Sequence, residues 1–368
     1  MVIFYKMKKS IPAIAFDFTG VFSVHYKGSQ PYPSAVKALN LLNKYRIPFV
    51  VLTNAGGRSD AERCEVMNRA VGVQGAFRVG QVIQAHTPMQ SIMKRELTNE
   101  QELALVGGGE ETWKILEQEW KVNNFVTVQE MAAIFPTLVP LSYKAHYPDQ
   151  QTCDTLKQRV KARLGLDNLD HIMTDRQFRT IFVMSNPYMW ETHMQIMSDV
   201  LFSEQGRIGT VRAPDAEQWP TLYYAQRDLV IPFKDDNHPA LKHRFSLGVF
   251  ADCFENIFHR QYKEEGYKRH FKASMTGKPS ALAFDCAKER LKKEYVELYG
   301  NQGQVGKLYM VGDSLTSDIY GGNQNGFDTV LVTTGNYKEG MPIAKGCEPQ
   351  MIVQDVGVAV EKIIADFI

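Results

Sequence analysis

The sequence predicts an α/β protein in which a doubly wound parallel sheet is interrupted by a second α/β domain. Three observations predict it. The first eighty or so residues alternate unbroken apolar runs with helical patterns. About the last hundred residues resume that alternation. The middle, from about Pro88 to about His270, carries αβ units of its own between loops rich in Pro, Asp and Gln. Alternating strands and helices bury both faces of a parallel sheet, and 368 residues are too many for one compact core.

Each element follows from local pattern. "IPAIAF" (Ile11 to Phe16) is continuously apolar, as a strand covered on both faces must be, and it delivers Asp17, then Thr19 and a turn-forming Gly20. "PSAVKALNLLNKY" places Val36, Leu39, Leu42 and Tyr45 on one helical stripe. "IPFVVL" is the second buried strand and ends in Thr53-Asn54, after which Ser59 and Glu62 form a capping-box pattern that opens a helix. In the middle, "ELALVGGGEETWKILEQEW" and "RTIFVMSNPYMWETHMQIMSDVL" each read as strand then helix. Gly107-Gly108-Gly109 lies where a phosphate-cradling turn would, yet it lacks the spacing of either Gly-rich fingerprint and reads as a tight turn. Trp190, Met194, Met197 and Leu201 form a stripe at helical spacing, which reads as core. Near the C-terminus "KLYMVGD" is a strand ending in Asp313, "TSDIYGGNQNG" a short helix with a Gly stop, and "FDTVLVTTG" a strand. "EPQMIVQDVGVAVEKIIADFI" is a final strand and helix. The expected domains are residues 1–88 and 271–368 for the interrupted sheet and 89–270 for the insert.

Composition narrows the function classes. A formal net charge of +1 supplies no strong field, which argues against nucleic acid or an anionic membrane as the partner. Five scattered cysteines without a CxxC pair read as reduced thiols of an intracellular protein, with neither a disulfide framework nor a zinc site. No apolar run approaches the ~20 residues of a membrane helix. Lys6, Lys8 and Lys9 precede a strand that begins by Ile11, leaving little room for a signal or transit peptide.

Three strands of the interrupted sheet end in polar groups: Asp17, Thr53-Asn54 and Asp313. In a parallel sheet these ends share one edge, where ligands of open α/β folds bind. A carboxylate there is costly unless something uses it. Lys278, in "TGKPS" before a Pro that starts a helix, completes a coherent set.

In order, "DFTGV", "LTN", "GKP" and "VGDSLTSD" resemble the four motifs of the haloacid dehalogenase (HAD) superfamily. The insert between the second and third resembles the cap of subclass IIA, the group of pyridoxal-phosphate and phosphoglycolate phosphatases. "LTNAGGRSDAER", "QVIQAHTP", "WETHMQIMSDVLFSEQGRIGT" and "LYYAQRDL" resemble the subfamily named after the cat-eye-syndrome critical region. The resemblance implies a Rossmann-like core with a cap and a Mg²⁺-dependent phosphohydrolase acting on a small phosphorylated metabolite. Asp17 would be the nucleophile that becomes an aspartyl-phosphate. Asp17, Asp313 and the Thr19 carbonyl would hold Mg²⁺, with Asp318 bracing them from outside. Thr53, Asn54 and Lys278 would hold the phosphate, and Lys278 would neutralise developing charge. A homodimer formed through the caps is also implied, and an intracellular location, cytoplasmic or mitochondrial, is expected.

The sequence departs from this pattern at Thr19, where such phosphatases carry a second Asp that protonates the leaving group and activates water. A Thr hydroxyl cannot do this near neutral pH, and the missing step is worth ~10²–10⁴ in rate. Turnover is therefore expected to be slow. The alternative is a binding or regulatory protein that keeps the fold and the ligand site. A metal-free dehalogenase also lacks the second Asp, but Asp313 and Asp318 sit in a metal-type motif. His25 is a candidate substitute acid, and Asp228 in "AQRD" keeps a carboxylate that related caps carry, without an assigned ligand.

Overall fold

The structure is a computed structural model, and it describes all residues except 1–9, 25–30, 142–148, 218, 233–237, 239, 241–242, 268–270, 302 and 368. His25 lies outside the described residues. The chain divides into two compact units. One comprises Met1–Ala55, Asp60–Thr87 and Gly277–Ile368; the other comprises Gly56–Ser59 and Pro88–Thr276.

Strands β1 (Ile11–Phe16), β2 (Phe49–Thr53) and β3 (Val82–Gln84) open the first unit. Strands β4 (Glu102–Gly107), β5 (Phe125–Thr127), β6 (Gln177–Val183), β7 (Thr221–Tyr224), β8 (Val230–Pro232), β9 (His243–Phe245) and β10 (Ala273–Met275) belong to the second. The chain then returns to the first unit with β11 (Val305–Gly312), β12 (Asp328–Val332) and β13 (Met351–Val353).

The first unit is a six-stranded sheet of order β13-β12-β11-β1-β2-β3. Every pairing in it is parallel, and β1 is flanked by β11 and β2, with Phe16 level with Val311 and Val51. Side chains of β1 alternate between the two faces. Ile14 and Phe16 join a cluster with the helices Pro33–Lys44 and Val356–Ala365, whereas Ala13 and Ala15 pack with Phe284, Ala287 and Leu291 of the helix Ala281–Tyr299. Apolar residues on both faces explain the unbroken "IPAIAF" run.

On the helix Pro33–Lys44 the buried residues are Ala35, Ala38, Leu39 and Leu42, whereas Val36 is 38% exposed. The buried stripe thus keeps Leu39 and Leu42 but runs through Ala35 rather than Val36. Positions i, i+3, i+4 and i+7 from Ala35 share one face, and Val36 lies about a quarter-turn round from it.

The second unit has a five-stranded sheet of order β10-β7-β6-β4-β5, also parallel, and a separate antiparallel pair β8-β9. It extends past the expected boundary at 270, because β10 pairs in register with β7 through Ala273–Leu222, Ser274–Tyr223 and Met275–Tyr224. Within the helix Trp190–Phe202, Met197 and Leu201 are core as expected, but Trp190 and Met194 are only half-buried and His193 is fully buried.

The Gly107-Gly108-Gly109 turn has its polar groups occupied from within the unit. Gly108 N–H donates to His193 Nε2 at 3.2 Å, Gln129 Nε2–H donates to the Gly108 carbonyl at 2.9 Å, and Gly109 N–H donates to Ser185 Oγ at 2.9 Å. Gly108 sits at φ +139°, a backbone conformation that requires glycine. The triplet is a strand exit that turns tightly, as its spacing predicts.

Candidate active site

Asp17 leaves the end of β1 with its N–H still bonded to the Val311 carbonyl at 2.9 Å, so the strand ladder fixes its start. Its carboxylate meets a buried cation: Lys278 Nζ lies 3.0 Å from Asp17 Oδ1 and 2.7 Å from Asp318 Oδ1. Lys278 is placed from its backbone. The Asn54 side chain accepts from the Lys278 N–H at 2.8 Å and donates to the Lys278 carbonyl at 3.0 Å. Those two bonds hold the Lys278 backbone in place. Thr53, next to it at the end of β2, is buried, and its Oγ1 accepts from the Ala55 N–H at 3.2 Å. Thr19 is half-buried and forms an isolated bridge with Ser23.

Asp318 is fully buried and fully engaged. Its Oδ2 accepts from the N–H groups of Asp313 and Ser314 at 3.1 and 3.0 Å, and its Oδ1 from Lys278. It therefore ties the turn after β11 to the lysine. Asp313 is different. Its Oδ2 accepts from the Asn336 N–H at 2.5 Å, while its Oδ1 is buried without a hydrogen-bond partner among the described residues. Carboxylate oxygens of Asp17, Asp313 and Asp318 lie within 4.8 Å of one another.

Burial pushes the Asp17 carboxyl up to about 6; Lys278 opposes the rise and Asp318 adds to it. Burial, then Asp17 and Asp318, push Asp313 up to about 8. Burial acts to lower the Lys278 pKa, but Asp17 and Asp318 outweigh it, and the ammonium is held above its ordinary value. Three carboxylates thus face one lysine, with one buried carboxylate oxygen left unmatched. A hard divalent cation suits that arrangement, since such ions take carboxylate oxygens and compensate like charges. The donor set would suit Mg²⁺, which Asp17 and Asp313 would hold, Asp318 being already spent on the protein.

Glycines make the packing possible. Gly20, at φ +83°, and Gly335 lie against the Asp313 carboxylate, and a Cβ on either would overlap it. A Cβ on Gly312 would overlap Asp318. Gly335 and Asn336 lie outside the four motifs, although "VTTGNY" directly after a strand is a visible turn signal. Asp228 is exposed, its N–H bonded to the Gln226 side chain and its carbonyl to the Gly248 N–H at 3.0 Å. Gly248 is in the second unit and has no room for a Cβ beside Arg227 and Asp228.

A family model for haloacid dehalogenase-like hydrolases matches residues 14–119, and a HAD-hydrolase-like model matches residues 275–359. A mitochondrial hydrolase of Saccharomyces cerevisiae is 28% identical over 383 aligned positions, covering 99% of this chain and 98% of its own. A cardiolipin synthase (CMP-forming)/mitochondrial hydrolase fusion protein of Schizosaccharomyces pombe is 26% identical, and the match covers 90% of this chain and 50% of the fusion. Among solved structures, a possible sugar phosphatase of the HAD superfamily from Cytophaga hutchinsonii has a TM-score of 0.60 at 17% identity, covering 95% of this chain and 94% of its own. The p-nitrophenyl phosphatase of Archaeoglobus fulgidus has a TM-score of 0.57 at 16% identity, covering 96% and 99%.

Proposed function

Because the chain belongs to the haloacid dehalogenase-like hydrolases, we propose that it is a Mg²⁺-dependent phosphohydrolase of small phosphomonoesters that turns over slowly. The observation that carries this reading is the pairing of Asp17 with Lys278 beside the unmatched buried oxygen of Asp313.

In this reading Asp17 Oδ attacks phosphorus, the ester P–O bond breaks, and the leaving oxygen takes a proton from solvent water and departs as the alcohol. Lys278 Nζ offsets charge on the phosphoryl oxygens as the bond breaks. The Thr53 hydroxyl holds one of those oxygens. Asn54 acts on the substrate through Lys278, since its side chain is bonded to the lysine backbone. Bound between Asp17, Asp313 and the Thr19 carbonyl, Mg²⁺ would supply positive charge to the phosphoryl group. Water then cleaves the aspartyl-phosphate, returning the Asp17 carboxylate and releasing inorganic phosphate.

Both proton transfers lack the Asp that would serve them, because Thr19 stands in its place. That is the specific observation favouring the second reading, a binding or regulatory protein with negligible turnover. No helix among the described residues is long and apolar enough to cross a membrane. The mitochondrial label of the yeast relative makes the mitochondrion the compartment to examine first.

The test is Thr19→Asp against wild type with Mg²⁺ on a panel of phosphomonoesters. CMP belongs in the panel, since the fission-yeast fusion joins the hydrolase to a CMP-forming synthase. Hydrolysis is expected to rise ~10-fold or more, a conservative share of what general acid–base catalysis supplies. A folded, Mg²⁺-binding Thr19→Asp protein that is inactive on the whole panel would transfer the case to the binding-protein reading.

A further inference from the structure

We propose that the loop 333–337, which follows β12, is the positioning element that aims the Asp313 carboxylate, with Gly335 its central residue. This rests on the Mg²⁺-dependent reading of the site and adds residues to it that none of the four motifs contains.

The loop touches Asp313 from three directions. The Asn336 N–H donates to Asp313 Oδ2 at 2.5 Å, and the Tyr337 N–H donates to the Asp313 carbonyl at 3.1 Å. Gly335 lies so close that a Cβ would overlap the carboxylate, its Cγ and its Cβ. The loop is in turn tied to the first motif and to the start of the helix Pro33–Lys44. Thr334 Oγ1–H donates to the Gly20 carbonyl at 2.5 Å, and Tyr32 O–H donates to the Thr334 carbonyl at 2.9 Å. Gly20 lies against the same carboxylate, so two glycines leave the space that Asp313 Oδ2 occupies.

The consequence is directional. One carboxylate oxygen is consumed by a backbone N–H, which fixes the torsion of the group. Only Oδ1 is left for a cation, and it is the buried oxygen without a hydrogen-bond partner among the described residues. A carboxylate held this way meets the ion without first losing rotational freedom, as supporting groups do for metal ligands generally. Gly335 does not have a positive φ, so its requirement for glycine is one of space alone. Alanine there keeps the backbone conformation and displaces only what the methyl group meets.

The experiment is Mg²⁺ titration calorimetry on the full chain, paired with metal-free thermal unfolding, for wild type, Gly335→Ala, Thr334→Val and Asn336→Ala. Gly335→Ala is expected to weaken Mg²⁺ binding by ~10-fold or more, in the range seen when supporting residues of metal ligands are lost. Thr334→Val removes the tie to Gly20 and is expected to weaken it by ~3-fold or more. Asn336→Ala keeps the backbone donor and should bind Mg²⁺ like wild type.

If Gly335→Ala lowers the metal-free melting temperature but leaves Mg²⁺ affinity intact, the loop is merely structural and the inference falls, while the phosphohydrolase reading stands. If wild type itself takes up no Mg²⁺, both fall. Should Gly335→Ala fail to fold, Thr334→Val decides: unchanged affinity there overturns the inference.

Discussion

Asp313 and Asp318 are five positions apart and both buried, yet their oxygens have different fates. Every oxygen of Asp318 meets an N–H donor, whereas Oδ1 of Asp313 meets none among the described residues. Asp313→Asn keeps the shape and the acceptor for the Asn336 N–H but removes a charge that burial, Asp17 and Asp318 all oppose. Mg²⁺ affinity by calorimetry is expected to fall at least ~10-fold, with the metal-free melting temperature unchanged or higher. Equal affinity in the two proteins would remove Asp313 from the metal site. The motif residues were legible because a strand ending in Asp is conspicuous. That Asn54 holds the lysine was not legible, because the partners are far apart in the chain and meet only in the fold.

Among the secondary elements, the strands of the first sheet were readable because a strand buried on both faces has no polar positions to blur it. Helical stripes were read less well, as Val36, Trp190 and Met194 show, because one residue of phase error rotates a stripe by about 100°. Buried charge was invisible to pattern reading. The helix Val128–Ile134 is capped by Thr127, whose Oγ1 accepts from the Glu130 N–H at 3.1 Å while the Glu130 carboxylate accepts from the Thr127 N–H at 2.9 Å. The same fully buried carboxylate binds Arg159 at 3.0 Å and Arg163 at 2.5 Å, both on the helix Gln150–Leu164. Removing one member of a buried ionic network leaves the others uncompensated, at a cost of about 3–5 kcal/mol. Glu130→Ala should therefore lower stability by that amount in denaturant unfolding. A loss under ~1 kcal/mol would mean that the network is weak, as exposed ion pairs are.

Across the whole molecule, each unit contains a histidine kept neutral by burial. Burial, with a contribution from Arg63, lowers His86 to about 3; burial lowers His193 to about 4 against the Met189 carbonyl, which favours its charge. His193 is also fixed in one tautomer, its Nδ1–H donating to the Met189 carbonyl at 2.8 Å and its Nε2 accepting from Gly108. Both pKa values are depressed in the folded chain, so below the ordinary value near 6.5 the unfolded chain binds more protons than the folded one. The stability these residues contribute is present above about pH 6.5 and is lost as pH falls toward about 4 and then about 3. His193→Gln should flatten the acid limb of a stability–pH profile. A limb of unchanged slope would show that His193 does not carry it.

By itself the sequence determined the strand–helix alternation, the interruption by a second α/β unit and the positions of Asp17, Thr53, Lys278, Asp313 and Thr19. These depend on local period and on polar residues at strand ends, which lie in short windows of chain. Only the tertiary structure decided that β10 belongs to the second sheet, that Asn54 serves Lys278, and that Gly335 and Asn336 hold Asp313. Those depend on the space and the hydrogen-bond donors left between segments distant in the chain, which exist only once the sheets have formed.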